Sequence, residues 1–134
     1  MNGWSILGRP QFDTILEQAQ SDLDSTSQRL DASSYPLAET EVFIKKSEEF
    51  FAFKDAVRNL ATSPNPLEVL TYLARDGNND EYYYLSVGGW KAYYYIDQKA
   101  KAGIALLALH NLRRSRHDIL QSLSDALTEY RKNG

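Results

Sequence analysis

The segment HNLRRSRHD packs His110, Arg113, Arg114, Arg116 and His117 into eight residues. Imidazoles exchange protons near neutral pH, and guanidiniums grip phosphate or carboxylate oxygens in pairs. Upstream lies EYYYLSVGGWKAYYYID, residues 81–97, with six of the nine tyrosines and one internal charge, Lys91. Cleaving a phosphodiester without a metal needs a base, an acid and cations that stabilise developing charge. His110 or His117, with Lys91, Arg113 and Arg114, could fill those catalytic roles. The same residues also suit plain anion binding, because a helix N-terminus follows them. They equally suit a solvated loop whose arginines pair with acidic helices.

Other chemistries find less support. The chain has no cysteine, which excludes disulfides, thiolate metal sites and a Cys nucleophile. Two histidines without cysteine or a carboxylate cluster are a poor zinc set, so no metal and no cofactor are expected. No Ser-His-Asp spacing, phosphate-cradling glycine loop or dinucleotide fingerprint is visible.

Reflecting the tyrosine segment about Gly88-Gly89 pairs Val87 with Trp90, Tyr84 with Tyr93, and Tyr82 with Tyr95. A two-residue Gly-Gly loop fits a tight hairpin. Strand alternation then sorts the residues by face. Leu85, Val87, Trp90, Ala92, Tyr83, Tyr94 and Ile96 form a core face. Ser86, Lys91, Tyr82, Tyr84, Tyr93 and Tyr95 form an amphipathic one. Tyrosines beside a cation can stack bases, meet a protein partner, or cover a helix of the same chain. Tyr82, Tyr84, Tyr93, Tyr95 and Arg116 are therefore the candidate RNA- or partner-binding residues.

The elements around these residues follow from periodicity. Gly3–Leu7 suits a first strand, and Pro10 opens a helix with Phe12, Ile15, Leu16, Ala19, Leu23 and Leu30 on one face. SSYP at 33–36 interrupts it. A second helix, roughly 39–61, carries Phe43, Phe50, Phe53, Val57 and Leu60, with Phe51 and Val42 widening the stripe. Asn65 reads as an N-cap, with Pro66 and Glu68 opening a short helix to about Arg75 that contains Leu67, Leu70, Leu73 and Ala74. Gly77 in DGNND would lie past its end. GIALLAL at 103–109 reads as a strand covered on both faces. Ser115 caps a last helix, about 116–132, with Asp118 at its third position. The fold class is α+β: a small antiparallel sheet, made of the N-terminal strand and a C-terminal three-strand meander. Two or three N-terminal helices pack on it, and a C-terminal helix follows.

Composition is that of one globular domain, 134 residues with 43% hydrophobic and 25% charged side chains. No apolar run is long enough to span a bilayer and no signal peptide is read, so a cytoplasmic protein without a membrane partner is expected. Net charge is −3, yet residues 81–134 hold eight Lys/Arg against five Asp/Glu. The tyrosine-rich half is the basic one, which fits an anion-binding surface and equally fits random scatter in a mildly acidic protein.

Three stretches resemble the RelE/ParE superfamily of type II toxin–antitoxin toxins, including its HigB and Gp49-like members. WSILGRPQFDTIL at 4–16 is similar to the family's opening strand and Pro-x-Phe helix entry. YLSVGGWKAYYYID at 84–97 resembles its hairpin, and LALHNLRRSRHDI at 107–119 its last strand and basic segment. The chain reads as a single domain of this kind over 1–134, with a helical section at about 10–75 that is longer than the family usually has, a hairpin and third strand at 81–109, and then the C-terminal helix. The resemblance implies a toxin held by a cognate antitoxin. In the RelE-like branch such a toxin is a ribosome-dependent, metal-independent mRNA endonuclease; in the ParE-like branch it binds gyrase. Lys91 matches the family's hairpin arginine, Arg113 or Arg114 its basic residue after the last strand, and His110 a histidine at that strand's end. Tyr82 and Tyr84 stand where ribonuclease members often carry lysines. The endoribonuclease is the leading expectation. A toxin that binds gyrase or another protein, and a non-toxic module using its tyrosine face, are the alternatives.

Overall fold

The computed structural model describes residues 3–32, 37–110 and 114–133, and for 30–32, 37–39 and 133 the backbone alone. In chain order the elements are β1 (Ser5–Gly8), α1 (Pro10–Ala32), α2 (Leu37–Ala61), α3 (Pro66–Val69) and β2 (Thr71–Arg75). β3 (Glu81–Val87), β4 (Trp90–Asp97), β5 (Ala102–His110) and α4 (Arg116–Asn133) complete the chain. The α+β class is as expected. The five strands form one sheet in the order β1-β5-β4-β3-β2. Strands β2 to β5 make an antiparallel meander, while β1 runs parallel to β5 and makes the sheet mixed. The expected break at 33–36 and the side chain of Leu30 lie outside the described residues.

One helix expectation is corrected. The helix opened by Pro66 ends at Val69, and Leu70 is already extended, with φ −82° and ψ 151°. Residues 71–75 instead form the edge strand β2, paired with β3. Leu67, Leu70, Leu73 and Ala74 mimic a helical stripe, but Thr71 and Tyr72 favour strand and an open sheet edge lies beside them. Asn65 makes no side-chain cap hydrogen bond. Gly77 sits in a β2–β3 turn that Asp76 organises by accepting from the backbone N–H groups of Asn78 and Asp80.

The hairpin forms in the expected register, from Val87↔Trp90 out to Tyr82↔Tyr95. Gly88 takes a φ of +58°, a region where a side chain would be strained. Sheet alternation then feeds two cores. On one face α1 and α2 cover Tyr83, Leu85, Trp90, Ala92, Tyr94 and Ile96 with Phe12, Phe50, Phe53 and Leu60. On the other, α4 covers Tyr82, Tyr93, Ile104 and Leu106 with Leu123, Ala126 and Leu127. The expected second-helix stripe is narrower than the sequence suggests. Phe51 is 46% exposed and Val42 53%, because α2 turns only the Phe50–Phe53 side toward the sheet.

Two strands carry a bulge. In β5, Tyr93 pairs with Leu107 and Tyr94 with Ala105, which leaves Leu106 as the extra residue. In β2, Tyr72 pairs with Tyr83 and Ala74 with Tyr82, which leaves Leu73 extra. A bulge takes a residue out of the ladder and frees its carbonyl. An arginine takes up each one. The Arg9 Nε–H donates to the Leu106 carbonyl at 2.8 Å, and Arg116 donates to the Leu73 carbonyl at 2.6 Å. Arg9 is the buried charged residue among those described, 9% exposed. Its guanidinium also lies 3.6 Å from Glu129 on α4, so it links β1, the β5 bulge and α4.

Two outcomes follow from this packing. Arg9→Met keeps the stem but leaves the buried Leu106 carbonyl without its charged donor. Urea unfolding should show a loss of about 2 kcal/mol. The phenols of Tyr82, Tyr83, Tyr93, Tyr94 and Tyr95 are all raised above their ordinary value, chiefly by burial. Hydrogen bonding to Asp76 adds to the effect at Tyr82. An unfolded chain ionises these phenols near pH 10. Their contribution to stability is therefore complete below about pH 10 and is lost as pH rises through the higher folded values. Spectroscopic titration should show this group ionising above about pH 10, together with loss of the fold.

Candidate functional site

The site begins with the second face of the hairpin. Lys91, early in β4, pairs with Ser86 on one side and Leu109 on the other. Its side chain is exposed, and Nζ sits 5.2 Å from the Tyr84 ring centroid. Tyr84 is half-buried and packs against its cross-strand partner Tyr93 at 6.2 Å. Arg114, exposed and just ahead of α4, donates to the Ser122 Oγ at 2.8 Å. Its positive charge acts on the Tyr93 phenol and pulls against the burial that raises it. Lys91, Tyr84, Tyr93 and Arg114 thus share the α4 side of the sheet. Ser115 holds the start of α4, since its Oγ accepts from the Asp118 backbone N–H at 3.1 Å. This is the cap the sequence implies.

The tyrosines divide by depth. Tyr82 is 0% exposed and Tyr93 4%, both beneath α4. Neither presents a ring face for a base or a partner to stack on. Tyr95 is half-buried, with the Arg131 guanidinium 5.3 Å above its ring. Arg131 in turn makes a two-pronged pair with Asp80, both contacts at 3.0 Å. The candidate binding face is therefore mostly an internal seam between sheet and α4, with Tyr84 at its open end beside Lys91.

The candidate catalytic residues do not assemble. His110 ends β5 opposite Trp90, and the two rings stack at 4.7 Å with 24° between planes. Trp90 belongs to the α1–α2 side of the sheet, so His110 lies on the other face from Lys91. The bulge is the cause. Ile104 and Leu106 point toward α4, and unbroken alternation would send Ala108 and His110 there too. The extra residue reverses the parity, so that Ala108 joins the α1–α2 core. His117, exposed in the first turn of α4, lines a groove of about 300 Å³ with Arg75, Asp76 and Asn78 at the β2–β3 turn. Arg116 is committed to the β2 bulge. Arg113 lies outside the described residues.

Sequence reasoning missed Arg9. An arginine between a strand and a helix-opening proline has no pattern that marks it as buried. Its role follows only from the bulge that it serves. Among the described residues, no group of three or more His, Asp or Glu is placed to hold a metal ion, and no helix is long and apolar enough to cross a membrane. No protein-family model matches the chain, and no curated protein or solved structure does.

Lys91 contributes to the surface more than to the fold. An exposed cation over a tyrosine ring stabilises by about 0.5–1 kcal/mol. Lys91→Ala should therefore keep its urea midpoint close to that of the parent, with far-ultraviolet circular dichroism unchanged.

Proposed function

We propose that this domain acts by binding rather than by cleavage, as a toxin of the RelE/ParE kind that targets a protein. The observation that carries this reading is that neither histidine joins the cations: His110 lies across the sheet from Lys91 and Arg114, and His117 lines the groove at the β2–β3 turn with Arg75, Asp76 and Asn78. Proton transfer in a phosphodiester cleavage needs acid, base and cations within hydrogen-bond reach of one substrate. The exposed Lys91 and Arg114, backed by Tyr84, form instead a cationic surface with an aromatic floor. Such a surface suits an acidic segment of a partner protein, with arginine and tyrosine as its strongest contributors. The element order supports the family reading: an opening strand, an α-helical pair, then after the short α3 and the edge strand β2 a hairpin, a last strand and a C-terminal helix. The partner would be gyrase or another protein, with a cognate antitoxin covering the same domain.

RNA cleavage is the second reading, favoured by the two cations that flank the Tyr84–Tyr93 pair. Induced expression, followed by growth and by transcript integrity, separates the two. The binding reading expects growth arrest with intact mRNA, abolished by Lys91→Ala with Arg114→Ala and unaffected by His110→Ala. Fragmented transcripts that depend on Lys91 would establish the nuclease instead. Normal growth on induction would remove the toxin assignment.

A further inference from the structure

We infer that the cleft between α1, α2 and the Trp90–His110 end of the sheet binds a small free α-amino acid with an apolar side chain. The cleft encloses about 330 Å³, within the usual range for small-ligand sites. Its lining combines two chemistries. Ala19, Leu23 and the exposed margin of Trp90 supply apolar surface, and Asp22, Lys46 and His110 supply polar groups.

The lining carries one charge of each sign. Asp22 belongs to α1 and Lys46 to α2, so one carboxylate and one ammonium come from different walls. They form no ion pair with each other or with another described residue. Asp22 is steadied from its own helix, where its Oδ1 accepts from the Gln18 amide at 3.0 Å. The Thr26 hydroxyl is held too, donating to the Asp22 carbonyl at 2.9 Å. An α-ammonium would meet Asp22 and an α-carboxylate Lys46, each through a charge-assisted hydrogen bond.

The apolar side chain would lie against Ala19 and Leu23, above a floor of packed rings. Trp90 is sandwiched, with Phe53 stacked at 5.2 Å and His110 at 4.7 Å, and Phe50 tilts against it at 5.4 Å. This ring stack is fixed by the core before any ligand arrives, so little ordering would oppose binding. It also makes Trp90 a reporter at the site. The chain's other tryptophan is Trp4, and Trp4→Phe leaves Trp90 as the sole indole.

The test is fluorescence titration of the full-length Trp4→Phe protein with L-phenylalanine and L-leucine. Phenethylamine and 3-phenylpropionate serve as probes that each lack one charge. A saturable change with an amino acid is expected, weakened about tenfold or more for both one-charge probes. Asp22→Asn and Lys46→Gln should each weaken amino-acid binding by a similar factor, with unchanged urea midpoints because both side chains are exposed. No saturable change with either amino acid would overturn the inference. So would equal binding of the one-charge probes, or undiminished binding by both variants.

Discussion

The extra residue in β5 sets the parity of everything beyond it. Leu106 and Leu107 both belong to the α4 side of the sheet, and Ala108 returns to the other. A strand without that step would carry His110 round to the tyrosine face. The step is held by Arg9, whose guanidinium reaches across from the start of α1 to the freed carbonyl. One buried hydrogen bond from a charged donor thus helps decide which residues share a surface. It fixes the divide between the ring stack at Trp90 and the cations near α4.

The second constraint is the cover over the tyrosines. Helix α4 buries Leu123 and Leu127 against Tyr82 and Tyr93, and its ends are tied to the adjoining β2–β3 unit. Arg116 binds the Leu73 carbonyl near the start, and Arg131 grips Asp80 near the finish. Both ties meet the β2–β3 unit, so the edge strand and the last helix support each other. The Leu73 bulge and its arginine also interrupt the free edge of the sheet, a feature that discourages strand-to-strand association. What remains of the tyrosine face for outside contacts is the end of the seam, where Lys91 and Arg114 emerge beside Tyr84.

The hairpin was legible from local symmetry alone. Gly88-Gly89 fixes the turn, the turn fixes the register, and period two then assigns each tyrosine to a face. The cap at Ser115 and the doubly covered β5 were legible for the same reason, since each depends on neighbours in sequence. Thr71–Arg75 was not, because its apolar spacing fits a helix and only the open flank of β3 makes it a strand. The site was legible in part. Lys91, Arg114 and Tyr84 share a region, but the place of His110 depends on a bulge within an unbroken apolar run. GIALLAL has no glycine, proline or polar residue at Leu106 to mark the irregularity, and the arginine that stabilises it lies at the far end of the sequence.

The parity reversal in β5 is the claim on which the separation of functions rests. Nuclear Overhauser contacts of the His110 imidazole protons test it directly in the folded protein. Contacts are expected from that ring to the Trp90 indole and to Phe50 or Leu23, and none to Lys91 or Tyr84. Contacts from His110 to the Lys91 and Tyr84 side chains would place the histidine on the tyrosine face and contradict it.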